Sequence, residues 1–514
     1  MNQNLIVSTG GHYIDPFFTQ KKGSISIIEK NGSIYDCVLN QTNIGVNSNK
    51  FYIMQALECG TNDYVLFIRY GRIGDNGVSI NKIFKNINSV ITEFEKVFRT
   101  KTGNNWYNTD NFEQKAGKYY LSKIEAIAVS ESDSGSESSS DSQSSSDMKR
   151  SKYLSGDHPS KKVIQLLSLI SNTTYMTNTL VQLDIDTEKM PLGKISQGQI
   201  DSGYEILNKI NKIILANKKT SSVKNKLIEL SSSFYTVIPI SCGRKIPPII
   251  STIKLVGKNI NLLNELSQMV YGTKAVTKFK KDKKDFIKLY KNLCTEIVAL
   301  EKTDEMYSLL ENYVKQSKAP THKFNYKIID MFEIARDNER DLYDKFNKKI
   351  DNRVLLFHGT RVCNMIGILQ NGLVCDLSKL GIVSVITGKM FGLGVYFANS
   401  VTKSIQYTAH DSSDNIACIF VAEVALGNQL VKKSADHKLT VKNMPKGYNS
   451  TWGIGQSTIS QYDEYNDGTS MPSGSIVKSP HNDASLLYDE FIVYNDEQIN
   501  LRYIIRLQIN DDKY

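Results

Sequence analysis

No stretch of this sequence approaches the roughly 18 uninterrupted apolar residues needed to cross a bilayer, so no membrane span is expected. The first residues, MNQNLIVSTGGHYIDPFF, lack the positive stretch and apolar core of a secretory signal. The seven cysteines, at 37, 59, 242, 294, 363, 375 and 418, form no CxxC pair. That excludes a zinc ribbon and a disulfide framework, suits a reducing compartment, and means that any DNA binding proceeds without zinc fingers. No metal site is suggested. A strong charge of one sign is also missing: the net charge is +10, which is weak ground for a polyanionic partner. What remains is ordinary for a water-soluble chain, with 40% hydrophobic and 23% charged residues. Its 514 residues are enough for two to four domains, each with its own core.

One segment interrupts this texture. Residues 130–147, SESDSGSESSSDSQSSSD, hold no large apolar side chain, and a segment that buries nothing cannot offset its ordering entropy. A linker is expected over 129–157, its serines either plain spacer or modification sites. The basic MKRSK that follows (Lys149, Arg150, Lys152) is a weak import signal. Before the linker, after a tail at 1–24, residues 25–128 read as a small α+β domain. YVLFIRYGRIG is β-rich, and Ile91, Phe94, Val97 and Phe98 have helical spacing. After it, residues 158–315 read as helical. Val163, Leu166, Leu167 and Ile170 share one face, as do Ile200, Tyr204, Leu207 and Ile214, while MPLGK and IPP read as loops. The lysines at 278, 280, 281, 283, 284, 288 and 291 read first as a solvated helix face. Over 316–514 short β-runs take over: RVLLFHG, GVYFANS, ACIFVAEVAL, EFIVYN and LRYIIRLQI. The 441–482 stretch shows little periodicity and is expected to be a long surface loop region.

Chemistry concentrates in the last third. His358 and Gly359 end an apolar strand, where a histidine is more often structural than catalytic. In TGKMFGLGVYFANSVTKSIQYT, Gly388, Gly392 and Gly394 allow close backbone approach, and Tyr396, Ser404 and Tyr407 follow at strand-then-helix spacing. FGLG runs into a strand, so it is not the dinucleotide fingerprint, which opens a helix. Glu490 stands in an otherwise apolar strand; a cleft and a sheet edge explain it equally well.

Taken in order, LLFHGTRVCNMIGIL, FGLGVYFANSVTKSIQY, VAEVALGN, MPKGYNS and SLLYDEFIVYNDEQINLRYIIRL resemble the catalytic domain of the poly(ADP-ribose) polymerases, diphtheria-toxin-like transferases with a His-Tyr-Glu triad. MPLGKISQGQIDSGYEIL and FYTVIPISCGRKIPPII resemble the helical regulatory domain of the DNA-dependent members. YDCVLNQTNIGVNSNKFYIMQ, YGRIG, KTGNNW and AGKYY resemble their WGR domain, named for Trp-Gly-Arg. The implied architecture is a multidomain α+β chain: a small mixed WGR-type domain, an all-α regulatory domain, and a mostly antiparallel β-sheet transferase domain.

The resemblance also implies roles. NAD⁺ would be the substrate, with no metal, and His358, Tyr396 and Glu490 the catalytic triad. His358 would orient NAD⁺ through the adenosine ribose, Gly359 and Ser404 would hold the nicotinamide carboxamide, Tyr407 and Tyr396 would flank the ring, and Asn364 would contact the adenosine end. Glu490 would stabilise an oxocarbenium-like transition state and polarise the acceptor hydroxyl. Strand-broken DNA would bind around Tyr70, Arg72 and Trp106, largely through phosphates. The helical domain would block NAD⁺ until DNA releases it. Acceptors would be proteins, the chain itself included, in the nucleus or another DNA-containing compartment. Four positions depart from the family. Tyr70 stands in place of the name-giving tryptophan, Val374 in place of an arginine, Lys389 in place of a tyrosine and Leu393 in place of a lysine. The departures leave open a mono(ADP-ribosyl) transferase and a catalytically inert scaffold that binds DNA breaks.

Overall fold

The structure is a computed structural model that describes residues 12, 14–19, 25–122, 159–185, 196–217, 220–276, 283–347, 350–375, 390–437, 439–465 and 467–510. The serine-rich tract, MKRSK, MPLGK, Lys278, Lys280, Lys281 and Lys389 lie outside the described residues.

The first unit is a twisted antiparallel sheet. Strands Asp36–Asn43, Ser48–Glu58, Tyr64–Arg72 and Val78–Phe84 pair in sequence order, and Tyr120–Ser122 adds to the first of them. Helix Ile87–Thr102 covers one face. Asn86 caps its first turn by accepting from Asn88 N and Ser89 N, and Gly103 ends it in the left-handed region at φ 74°. Ile91, Phe94 and Phe98 are buried beneath it, as their spacing predicts, and Val97 is half-buried. Within the expected tail, residues 12 and 14–19 dock on the first sheet. Arg69 is fully buried and needs a counter-ion, and Asp15 supplies it at 2.7 Å, while His12 Nδ1 meets Asp36 at 2.8 Å.

Among the described residues six helices follow: Lys161–Ile170, Thr173–Gln182, Gln197–Leu215, Ser221–Val237, Ile253–Val276 and Lys283–Asn292. Four of their starts are written in the sequence. The side chains of Ser160, Asn172, Ser196 and Thr220 each accept from the first turn, and Ser196 forms a reciprocal box with Gln199. Val163, Leu166, Leu167, Ile170, Ile200, Tyr204 and Leu207 are buried, and Ile214 half-buried.

Among the described residues the last unit holds two main sheets and a small three-stranded one of Gly455–Ile459, Ile476–Lys478 and Leu486–Tyr488. In the larger, Asn325–Arg336, Ile499–Asn510, Ile416–Ala425 and Arg353–Thr360 lie side by side, all antiparallel. Its edge strand is Thr295–Ala299, which lies inside the range expected to be helical; only pairing with Asn325–Arg336 makes it a strand, and its five residues are too few to carry a period. The smaller sheet runs Val395–Phe397, Glu490–Val493, Ser450–Gly453, Gln429–Lys432, and a single bridge, Phe357 to Ala398, joins it to the larger. The 441–482 stretch is more structured than its composition predicts, with strands of three to five residues such as Gly455–Ile459 and Thr469–Pro472. One apolar core is continuous across the boundary with the helices: Val256, Ile260 and Leu263 belong to the same buried cluster as Val362, Ile366 and Leu369.

Candidate active site

A cavity of about 580 Å³ is lined by residues of strands Arg353–Thr360, Val395–Phe397, Leu486–Tyr488 and Glu490–Val493, of the short helix Val401–Ile405 and of helix Ile253–Val276, among others. His358 lies near the end of strand Arg353–Thr360, its Nδ1 2.9 Å from the Tyr396 carbonyl. A carbonyl can only accept, so the neutral ring carries its proton on Nδ1 and presents Nε2 as an acceptor. At Gly359 a Cβ would run into the Ser404 carbonyl oxygen, so only glycine lets this strand approach the helix so closely. Ser404 Oγ donates to the Phe357 carbonyl at 3.3 Å, a long bond that a better acceptor can replace. Tyr407 follows the helix with its N–H donating to the Ser404 carbonyl, and it lines the cavity while staying 60% exposed.

Tyr396 is held at both ends. Its backbone fixes His358, and its hydroxyl donates to the Gly392 carbonyl at 3.0 Å while accepting from Phe391 N at 2.9 Å. Gly392 sits at φ 74°, and a Cβ there would meet the Leu439 carbonyl, which is why this turn reads Gly-Leu-Gly. Burial pushes the Tyr396 hydroxyl well above the ordinary phenol range, so it stays a neutral donor.

Glu490 opens an interior strand, between Val395–Phe397 and Ser450–Gly453, and lines the cavity at 7% exposure. A sheet edge is therefore not the reason for a carboxylate here. Its charge is met by Lys403, whose Nζ lies 3.0 Å from Oε1 and also donates to the carbonyls of Tyr488 at 2.8 Å and Asp489 at 3.2 Å. Burial pulls Lys403 below the ordinary lysine value in spite of the Glu490 carboxylate beside it.

His358, Gly359, Tyr396, Ser404, Tyr407 and Glu490 thus share one cavity, with Val374 and Leu393 also in its wall. Asn364 does not line it. That amide is buried and donates to Glu265 Oε2 at 2.8 Å and Thr360 Oγ1 at 3.1 Å. Glu265 comes from helix Ile253–Val276, which closes one side of the cavity with Ile260, Asn261 and Asn264. Its carboxylate also stands 3.5 Å from Arg361 Nε, and Arg361 reaches on to Gln182 at 2.6 Å.

Tyr70, Arg72 and Trp106, expected to meet DNA, lie apart from this cavity. Tyr70 is 38% exposed and stacks on Tyr52 with ring centroids 5.6 Å apart. Arg72 does not present an open guanidinium. It donates to the carbonyls of Gly243 at 2.6 Å and Lys245 at 2.9 Å, and to Asn47, so it ties the first sheet to the helical layer. Trp106 packs edge-on against Phe94 and Phe98 at 4.8 and 4.9 Å, because an indole beside a half-formed core gains more by burial than by exposure.

Sequence reading passed over Lys403 and Glu265. A signal existed for the lysine: a carboxylate in an apolar strand calls for a cation, and Lys403 stands beside Ser404 in a helix whose residues are all buried. None existed for Glu265, which reaches Asn364 across 99 residues.

Three family models match the chain in order: the WGR domain over 35–113, the poly(ADP-ribose) polymerase regulatory domain over 160–293, and the poly(ADP-ribose) polymerase catalytic domain over 304–509. Among curated proteins it is 31% identical to "Poly [ADP-ribose] polymerase 2" of Homo sapiens, over 97% of this chain and 83% of that one. It is 32% identical to "Poly [ADP-ribose] polymerase 2-A" of Oryza sativa subsp. japonica, over 94% and 71%. To "Poly [ADP-ribose] polymerase" of Sarcophaga peregrina it is 33% identical over 93% of this chain, which spans about half (46%) of that longer relative. Three domain matches in order, together with near-full coverage by these relatives, mean that the chain belongs to the poly(ADP-ribose) polymerase family.

Proposed function

We propose that this protein cleaves NAD⁺, releases nicotinamide and transfers ADP-ribose to protein acceptors, itself included, and to growing ADP-ribose chains, in answer to broken DNA in the nucleus. The observation that carries the reading is the meeting of His358, Tyr396, Ser404, Tyr407 and Glu490 on one cavity that the helical domain partly closes. Such a cavity, mostly apolar with a few convergent polar groups, suits a nicotinamide nucleotide.

In this reading His358 accepts a ribose hydroxyl on Nε2, and Tyr396 keeps that tautomer in place. Gly359 and Ser404 hold the carboxamide between the rings of Tyr407 and Tyr396. Glu490 stabilises positive charge on the ribose carbon as the nicotinamide bond breaks, then polarises the incoming hydroxyl. Lys403 pairs with the Glu490 carboxylate and holds its direction. Asn364 becomes available at the adenosine end when Glu265 withdraws, and Arg72 passes the DNA signal from the Tyr70 sheet to the helices.

The test is incorporation of labelled NAD⁺ into protein, with and without nicked or broken duplex, beside Glu490→Gln. A DNA-dependent, high-mass product that falls about 10²–10³-fold in the variant is expected; equal signal from the variant sinks the reading. One observation favours a second reading, transfer of single units. Among the described residues of the wall the one Lys or Arg is Lys403, already paired with Glu490, while Met390, Leu393 and Leu486 are apolar, and a growing chain's phosphates would call for further cations. A single sharp product band would select it.

A further inference from the structure

Asp489, next to Glu490 in the chain, is fully buried, and the cavity does not include it. Neighbouring residues of a strand point to opposite faces, so when Glu490 looks into the cavity Asp489 looks behind it. There its carboxylate accepts three hydrogen bonds: from Gly455 N at 2.8 Å, Thr458 Oγ1 at 2.5 Å and Asn399 Nδ2 at 3.2 Å. The donors are neutral. A buried carboxylate whose hydrogen-bond donors are all neutral is costly to keep, and a hydrophobic or amide side chain would fill the same space with less penalty, so a function for it is to be sought.

Asn399 shows what that function is. It lies two residues before Val401, where the helix carrying Lys403 and Ser404 begins, and its amide also donates to Tyr462 OH at 3.0 Å. Lys403 closes the circle by donating to the backbone carbonyl of Asp489 and pairing with Glu490. Side chain, helix start, ammonium and strand therefore form one ring of bonds, and the Glu490 carboxylate is one of its members. On the far side, Phe491 stacks on Trp452 with centroids 6.1 Å apart, so the strand is gripped on both sides of Glu490.

We propose that Asp489 is a positioning residue for Glu490: its carboxylate, held by Gly455, Thr458 and Asn399, fixes the strand bearing Glu490 against the helix bearing Lys403. The inference rests on the reading of Glu490 given above. Loss of one anchor lets the two elements slide, and a displacement of about 1 Å at a reacting group costs up to about 10²-fold in rate. Ser404 keeps its bond to the Phe357 carbonyl and its close packing on Gly359, so the slide falls on the Glu490 strand and substrate binding through His358, Ser404 and Tyr407 changes little.

The experiment measures kcat and KM for NAD⁺ in the full chain with saturating broken duplex, for Asp489→Asn and Thr458→Val, alongside thermal melting. Asp489→Asn keeps the volume and removes the charge; Thr458→Val removes one donor. Both are expected to lower kcat, by about tenfold or more and about threefold, with KM within about twofold. If Asp489→Asn does not fold, Thr458→Val decides alone. Unchanged kcat in folded protein, or kcat and KM shifting together, overturns the inference. Glu490→Gln serves as the parallel control: full activity there would mean that the reading of Glu490 itself had failed, whereas an inactive Glu490→Gln beside unaffected Asp489 and Thr458 variants overturns this inference alone.

Discussion

Glu265 offers the sharpest test of whether the helical domain controls the site. Its carboxylate, about three-quarters buried, holds the Asn364 amide at 2.8 Å and stands 3.5 Å from Arg361. A hydrogen bond to a charged group contributes about 1.5–3 kcal/mol, and a partly exposed ion pair at that separation less than about 1 kcal/mol. Replacing Glu265 by alanine removes both while leaving the apolar contacts of Ile260 and Leu263 in place. If about 2 kcal/mol of the closed state is lost, the open fraction rises about 30-fold, at about 1.4 kcal/mol per tenfold. Because apparent affinity scales with the open fraction, the KM for NAD⁺ without DNA should fall by a similar factor, ten- to thirty-fold. With saturating broken duplex the contact is already parted, and the variant should match the parent. The assay is initial-rate nicotinamide release over a range of NAD⁺, with and without DNA. Equal KM in parent and variant without DNA would refute the clamp. A higher KM would mean that Glu265 helps bind NAD⁺.

Three further outcomes are expected. Burial lowers Lys403 below the ordinary lysine value of 10.5, so its pair with Glu490 is complete below that lowered value and is lost as pH rises through it. A plot of kcat against pH should therefore fall on the alkaline side with an apparent pKa below 10.5; in Lys403→Met this limb should vanish, with kcat low throughout, and an unaltered profile would refute the pairing. Arg72→Ala removes the bonds to Gly243 and Lys245, so DNA stimulation should drop about tenfold with basal turnover unchanged, within the usual range of coupling energies; undiminished stimulation would clear Arg72 of any role in coupling. Deleting 159–293 should give DNA-independent activity, whereas deleting 158–315 should prevent folding, because it also takes the edge strand Thr295–Ala299 and the buried Tyr307, Leu310, Tyr313 and Val314. A folded but inactive 159–293 deletion, or a well-folded 158–315 deletion, would count against this.

Much of the fold is legible because its signals are local. Caps at Ser160, Asn172, Ser196 and Thr220 and the apolar spacing of Ile91, Phe94 and Phe98 lie within single turns, so sequence alone sets those helices. The β-runs from 353 to 509 are likewise apolar enough to declare themselves, and motif order along the chain was sufficient to place six residues that the fold brings to one cavity. Short strands without an apolar run were not legible. Thr469–Pro472 and Gly455–Ile459 carry almost no period, and their pairing is decided by partners elsewhere in the chain.

What the sequence by itself determined is therefore the elements, their order and the chemical types gathered in the last third. Tertiary structure decided which of these residues face one another. Glu490 and Lys403 are 87 positions apart and Glu265 and Asn364 are 99 apart, and each pair exists only because folding brings opposite charges or a donor and an acceptor out of water together. The same holds for Arg72 and Trp106, whose surroundings in the chain suggest exposure while the fold spends one on an interdomain joint and the other on a core. Hydrophobic periodicity is written along the chain, but the pairing of buried polar groups depends on three-dimensional proximity, which no local pattern encodes.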